Sequence, residues 1–203
     1  MYYAAVRGFI LSIVRNPAEA EELTQKFFLV TVLEGQLLRR ADRTEGRFRE
    51  YLKQAVRNFL VDDHRYRTRK KRRAAEPDLR PDGLKGGWET VVLKESPAHD
   101  AAFLRGWAQS LVRTAIERVR TTCERKGQEQ HFRLFAGRFL ASTQDMPAWR
   151  ELGEPFGLDE KTARSRAETV ARHFRTAIRE LIATEGGTGE GTDEEILELI
   201  SLF

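Results

Sequence analysis

Cysteine is nearly absent from the 203-residue chain, which contains only Cys123. One cysteine cannot form an internal disulfide, and the lack of others excludes metal sites built from several cysteines. Such sparing use of cysteine is typical of a reducing compartment, so we expect a cytoplasmic protein. A long apolar run is also missing, because Arg7 and Arg15 interrupt the apolar N-terminal stretch, which is too short to cross a bilayer. We therefore expect no membrane insertion.

The usual signatures of an enzyme are missing as well. There is no glycine-rich phosphate loop, and the four histidines have none of the spacings that bind zinc. Asp62, Asp63 and His64 are consecutive, and consecutive side chains on a helix point about 100° apart, so they do not converge on one ion. The sequence therefore predicts a non-catalytic protein without metal or cofactor. A metal-dependent nuclease or recombinase using these three residues is the enzymatic alternative.

What the sequence does contain is positive charge in one place. The whole chain carries a formal net charge of only +4. The segment from Arg47 to Arg73 has eleven basic and three acidic residues, a net charge of +8, which leaves −4 for the remainder. A positive block on an otherwise acidic protein predicts a polyanionic partner, although such runs also occur as solvated or disordered surface.

Apolar residues recur with the period of an α-helix along most of the chain, and no alternating strand pattern competes. We therefore predict an all-α fold of two small helical domains joined by a linker. The first domain spans residues 1–73, and a proline- and glycine-rich linker spans 74–96. The second domain spans 97–183. Residues 184–203 form a flexible spacer followed by a short acidic amphipathic helix, TDEEILELISLF.

The clearest predicted helix begins at Phe48 and carries two stripes. Arg49, Lys53 and Arg57 are four residues apart, so they form a basic stripe that we expect on a face of its own. The tyrosines Tyr51 and Tyr66 are able to stack on unpaired bases or to lie at the edge of the core. The apolar stripe, which we expect to be buried, consists of Phe48, Leu52, Ala55, Val56, Phe59 and Leu60.

A second pattern, between Trp149 and Leu181, is typical of a helix-turn-helix. Gly157 marks the turn, Asp159 is a candidate N-cap of the second helix, and the small residues Gly153 and Ala163 allow the two helices to cross closely. Pro155 disturbs the last turn of the first helix. A helical hairpin that never contacts DNA has the same pattern. The line of residues expected to face the core is Ala163, Ala167, Val170, Phe174, Ile178 and Leu181.

These elements together resemble the bacterial RNA polymerase sigma factors of the extracytoplasmic-function type. The strings NPAEAEELTQKFF and GRFREYLKQAVRNFLVDDHRYRTRKKRR resemble the family's region 2, and WRELGEPFGLDEKTARSRAETVARHFRTAIREL resembles its region 4. The matching positions in the second string are Phe48, Tyr51, Leu52, Arg57, Asn58 and Asp62, with Tyr51 where tryptophan is common. Lys26 stands where the family favours an acid, and the first helix starts late.

The resemblance implies a factor that binds core RNA polymerase, through the β′ clamp helices and the β flap, and that recognises and opens promoter DNA. It implies a polymerase contact formed by Glu19, Glu21, Glu22, Gln25 and Phe28. It implies −10 element contacts from Arg39, Arg40, Arg47, Arg49, Tyr51, Lys53, Arg57, Asn58, Arg65 and Tyr66, with the RRADRTEGR loop as a pocket for a flipped base. It implies −35 element contacts from Lys161, Thr162, Arg164, Ser165, Arg166 and Arg172.

Several alternatives stay open at this point. A stand-alone helix-turn-helix regulator would bind duplex DNA without polymerase. Regulation by an anti-sigma partner or by a kinase, for example at Thr24, is compatible with the sequence. The C-terminal segment resembles the tails of sigma factors that are regulated through C-terminal extensions, and we expect it to dock on the protein or on polymerase and to modulate activity.

Overall fold

The computed structural model describes residues 2–33, 48–74, 96–141 and 146–184, and within these ranges the regular structure is helical, with no strand. The prediction of an all-α chain is confirmed at this level. The helices are α1 (Tyr3–Val14), α2 (Pro17–Phe27), α3 (Phe48–Ala74), α4 (Pro97–Arg125), α5 (Glu129–Phe135), α6 (Trp149–Gly153) and α7 (Glu160–Ala183). The predicted loop 39–47, most of the predicted linker and the C-terminal helix lie outside the described residues.

Two compact units make up the chain, and the division falls between Ser110 and Leu111, inside α4. The first unit contains α1, α2, α3 and the first half of α4. The second contains the rest of α4 with α5, α6 and α7. The sequence predicted a second domain from residue 97, whereas the structure groups the first turns of α4 with the preceding helices. None of the described helices combines the length and apolar character needed to cross a bilayer.

The core of the first unit is aromatic and closely packed. Phe9 of α1 and Phe103 of α4 are fully buried, and their rings meet edge to face with centroids 6.3 Å apart. Gly106 allows α4 to approach α1, because a Cβ at this position would lie 2.5 Å from the carbonyl oxygen of Ala4. The apolar stripe of α3 faces this core as predicted, with Leu52, Val56 and Leu60 fully buried.

The core of the second unit lies beneath α7. Of the six apolar positions predicted to face inward, five are buried. Phe174 is half-buried, and its ring centroid lies 5.7 Å from that of Phe135. The structure differs from the sequence interpretation at Pro155. The supporting helix ends at Gly153, and Pro155 lies in the following 3₁₀ turn (Glu154–Phe156), where it removes no α-helical hydrogen bond.

Candidate nucleic-acid interface

The predicted basic stripe of α3 is turned inward. Arg49 and Lys53 are buried, at 4% and 8% exposure, and Arg57 is mostly covered. The first half of α4 supplies partners for Arg49 and Arg57. The guanidinium of Arg49 lies 4.8 Å from the ring centroid of Trp107, and Arg57 Nη2 lies 2.8 Å from Oδ1 of Asp100. The stripe lies on a face of its own, as expected, but α4 covers that face and shields it from solvent.

Two kinds of interaction make these cations compatible with burial. Lys53 Nζ pairs with Glu50 at 2.7 Å and approaches Asp100 at 3.9 Å. Aromatic faces attract cations, and Arg57 lies over the ring of Phe9 at 5.6 Å. A buried charge needs such pairing, because desolvation otherwise costs several kcal/mol. In this arrangement Arg49 and Lys53 hold the first unit together and do not face a phosphate backbone.

The C-terminal part of α3 presents polar residues to solvent instead. Asn58, Arg65 and Tyr66 are exposed, and Tyr66 keeps 62% of its surface accessible. Lys26 Nζ lies 5.8 Å from the Tyr66 ring centroid. Tyr51 is half-buried, with its ring 6.5 Å from that of Phe48. Of the predicted −10 contacts, Arg39, Arg40 and Arg47 lie outside the described residues.

Asp62, Asp63 and His64 diverge, as their helical spacing predicts. Asp62 is exposed, whereas the Asp63 side chain is only 5% exposed and faces α2. Asp63 pairs there with Lys26, and it also pairs with Arg67 at 2.6 Å. Across the described part of the chain, His, Cys, Asp and Glu side chains form no group of three that could hold a metal ion. Asp63 is therefore the anion of an ion-pair network between α2 and α3.

The acids of α2, predicted to bind polymerase, are largely engaged within the chain. Glu19 accepts from Arg67 at 3.1 Å, and Glu21 accepts from Arg7 at 2.6 Å and from the Tyr3 hydroxyl. These hydrogen bonds, the one from Tyr3 first, lower the pKa of Glu21 below its ordinary value. Glu22 is exposed, with Arg67 Nη2 at 3.6 Å.

The end of α2 presents the other predicted polymerase contacts. Gln25 is exposed, and Phe28 stacks on Tyr3 with centroids 5.5 Å apart. Beside Phe28, Leu29 and Val30 are 60% and 38% exposed, which makes an apolar patch that the sequence analysis did not single out. Thr24, suggested as a phosphorylation site, is fully buried with its hydroxyl bonded to a backbone carbonyl, so it is not accessible to a kinase in this structure.

In the second unit, α6 and α7 meet in the predicted helix-turn-helix arrangement. Gly157 adopts φ 62°, the left-handed conformation that glycine favours at such a turn. Asp159 caps α7 by accepting from the backbone N of Thr162 at 2.8 Å, and this bond, with one from the Thr162 hydroxyl, lowers the pKa of Asp159. A Cβ at Gly153 would lie 3.2 Å from Cβ of Ala163, so the predicted close crossing is confirmed.

The predicted −35 contacts divide into two groups. Lys161, Arg164, Ser165 and Arg172 are exposed along one side of α7. Thr162 is engaged in the cap, and Arg166 is turned toward α5, where its guanidinium donates to Gln130 at 3.3 Å. The structure therefore brings together four of the six predicted side chains on one face.

A cleft of about 610 Å³ adjoins this face and adds residues that the sequence analysis missed. Arg138 donates to the carbonyl of Pro147 at 3.0 Å and lies 5.1 Å from the ring centroid of Trp149. Arg175 continues the exposed side of α7, three residues after Arg172, and that spacing was a signal available in the sequence. The cleft is lined by Arg138, Phe139, Trp149, Arg164, Ser165, Glu168, Ala171, Arg172 and Arg175.

Comparisons with known proteins identify no relative: no protein-family model, curated protein or solved structure matches the chain.

Proposed function

We propose that this chain is a bacterial RNA polymerase sigma factor of the extracytoplasmic-function type. In this role it binds core polymerase in the cytoplasm, directs it to promoters and helps to open the DNA, without catalysing a reaction itself. The helices up to the end of α3 correspond to the polymerase- and −10-binding region 2, and the helix-turn-helix corresponds to the −35-binding region 4. An anti-sigma protein is the class of regulator that we propose for it.

The observation that carries the proposal is the exposed basic face of α7, the capped second helix of the helix-turn-helix. Recognition helices enter the major groove with their N-terminal residues toward the bases. Lys161, Arg164 and Ser165 occupy the first two turns of α7 and are exposed. Arginine pairs in bidentate fashion with guanine, and lysine and serine suit phosphates or base edges. This face is therefore chemically fitted to duplex DNA.

Features of the first unit support the single-strand part of the role. Tyr66 is an exposed aromatic ring beside the exposed Arg65 at the basic end of α3. An aromatic ring next to a cation is the combination that binds unpaired bases and their phosphates. The apolar patch at Leu29 and Val30, just after the end of α2, is a suitable contact for a large protein such as polymerase.

A second candidate function, a stand-alone regulator of duplex DNA, is favoured by one observation. The basic face of α7 lies entirely within the second unit, whereas Arg49 and Lys53 of the first unit are buried. A regulator of this kind would bind its operator without polymerase. The two candidates therefore differ in whether specific binding depends on core enzyme.

The test is transcription in vitro from a library of promoter fragments, with core polymerase alone and with the chain added. We expect new, sequence-specific start sites only when both are present. The double variant R164A/R172A removes two exposed cations of the α7 face and should abolish these starts. The variant R113A removes an exposed arginine of α4 in the same unit and serves as the matched control.

Other results point to the rivals. Specific duplex binding without core polymerase, together with no new start sites, would establish the stand-alone regulator. Metal-dependent DNA cleavage that is lost in Asp62→Ala would establish a nuclease.

A further inference from the structure

Glu168 is the only acid among the residues that line the basic cleft beside α7. Four arginines surround the same space: Arg138, Arg164, Arg172 and Arg175. Glu168 lies on the exposed side of α7, one turn after Arg164 and one turn before Arg172, and its side chain is 51% exposed. On a surface that approaches phosphates, a carboxylate at this position repels the DNA backbone.

The partner of Glu168 within the chain is Arg164. Arg164 Nε donates to Glu168 Oε1 at 2.7 Å, and this bond raises the pKa of the guanidinium. The Arg164 side chain is 63% exposed, and an exposed pair of this spacing contributes little to stability. Stability alone therefore gives little reason for an acid in the middle of the cleft. What the pair does provide is an acceptor and a donor side by side on the exposed face of α7.

Base edges give such a pair a partner. In the major groove cytosine presents its N4 amino group as a donor, and guanine presents O6 and N7 as acceptors. A carboxylate accepts from cytosine N4, and an arginine donates to guanine. Both residues lie in the first three turns of α7, which begins at Glu160, and recognition helices contact base edges with this part. The remaining arginines of the cleft suit phosphates, which fix position and carry no sequence information.

We propose that Glu168 reads a cytosine in the major groove and that Arg164 reads a guanine close to it. The inference rests on the duplex binding proposed above and specifies its sequence preference. The hydrogen bond that Glu168 accepts from a cytosine amino group offsets the repulsion between its carboxylate and the phosphates. Other bases at this position do not provide that hydrogen bond. The target duplex consequently contains an invariant C·G pair opposite Glu168, and sequences without it are rejected by an unpaired carboxylate.

The experiment selects duplexes randomised at the −35 position, using the full chain bound to core polymerase. The wild-type chain should enrich cytosine at one position. Glu168→Ala should lose that enrichment, with the discrimination against other bases falling by roughly 5- to 150-fold, the range for one good base contact. Glu168→Gln keeps the shape but adds a donor, and glutamine pairs with adenine N6 and N7, so its preference should move toward adenine.

The control is Glu180→Gln, which removes the same charge from an exposed position nearer the end of α7. It should leave the selected sequence unchanged. If Glu168→Ala and Glu168→Gln raise affinity equally for every duplex and the cytosine preference persists, Glu168 is only a solvated charge and the inference is overturned. If the wild-type chain enriches no sequence at all, the proposed promoter recognition itself fails, which is a separate and distinguishable result.

Discussion

Arg67 Nε lies 2.6 Å from Oδ2 of Asp63, one turn earlier in α3, and the same carboxylate pairs with Lys26 of α2. The Asp63 side chain is 5% exposed, whereas both cations are more than one third exposed. The two ion pairs thus link α2 and α3 through one buried carboxylate. Removal of this carboxylate leaves two cations that water can partly solvate, which limits the loss of stability.

We expect Asp63→Ala to lower the free energy of unfolding by about 1–3 kcal/mol, because charge-assisted hydrogen bonds contribute on this scale. Thermal and urea unfolding of the full chain measures the change. The control is Asp62→Ala, since the neighbouring Asp62 is exposed and should change stability by less than about 0.5 kcal/mol. Equal effects of the two variants would contradict the assigned network.

Arg49 and Arg65 should behave oppositely, although both belong to the basic segment of α3. Arg49→Ala should destabilise the first unit by about 1–3 kcal/mol, because it removes a buried stem and its contact with Trp107. Arg65→Ala should leave stability nearly unchanged and should weaken DNA binding. Because one phosphate contact is lost, the slope of log K against the logarithm of the salt concentration should become shallower by about one. Unfolding curves and binding titrations at several salt concentrations measure the two effects. A loss of affinity without a loss of stability in Arg49→Ala would show that Arg49 faces DNA.

The N-cap of α7 gives a prediction about the helix-turn-helix. Asp159→Ala should lower the free energy of unfolding by about 1 kcal/mol, because the backbone N of Thr162 loses its acceptor. Asp159→Asn should lower it much less, since asparagine caps a helix almost equally well. Thermal unfolding monitored by circular dichroism distinguishes the two. The aspartate cap is also sensitive to acid: the pKa of Asp159 is lowered in the fold, so its contribution is present at neutral pH and is lost as the pH falls through the folded pKa.

The close approach of α1 and α4 gives a prediction about packing. Gly106→Ala would place a Cβ 2.5 Å from the carbonyl oxygen of Ala4, so the helices must move apart. We expect the free energy of unfolding to fall by about 1–3 kcal/mol because of overpacking, although alanine has a better helix propensity than glycine. Gln109→Ala, at an exposed position of the same helix, is the control. A stabilised Gly106→Ala variant would show that α1 and α4 are not in close contact.

His99 makes the first unit sensitive to mild acid. Burial lowers its pKa below the ordinary value near 6.5, and Asp100 only partly opposes this effect. The neutral ring is therefore favoured in the fold, where Nδ1 lies 2.8 Å from Ser12 Oγ. The contribution of His99 to stability should be constant above about pH 6.5 and should decrease as the pH falls below it, because the unfolded chain then binds the proton more readily than the folded chain. His99→Gln should flatten this part of the curve of unfolding free energy against pH.

Local patterns in the sequence predicted the elements and the turn of the candidate interface. The helical periods of α3 and α7 located their buried sides correctly, and Gly157 and Asp159 are local signals for a turn and a cap. The close crossing at Gly153 and Ala163 was predictable because small side chains at a contact allow two helices to approach each other closely. These features depend on residues near one another in the chain.

The burial of Arg49 and Lys53 was not predictable from the same patterns. Their partners, Trp107 and Asp100, lie about fifty residues further along the chain, and a periodic basic stripe has the same spacing whether water or another helix covers it. The position of Glu168 in a basic cleft was missed for a related reason. Its spacing to Arg164 is that of any surface ion pair, and only the cleft formed with Arg138 and Trp149 distinguishes it.

Each compact unit contains a tryptophan beneath an arginine, Trp107 under Arg49 in the first and Trp149 under Arg138 in the second. Trp107 is 2% exposed, so unfolding of the first unit transfers its indole from a dry, positively charged environment to water. The third tryptophan, Trp88, lies outside the described residues. Replacing it and one of the other two with phenylalanine leaves a single tryptophan fluorophore in one unit at a time. Because DNA contains no tryptophan, the loosening of either unit on binding DNA is then observable without a chemical label.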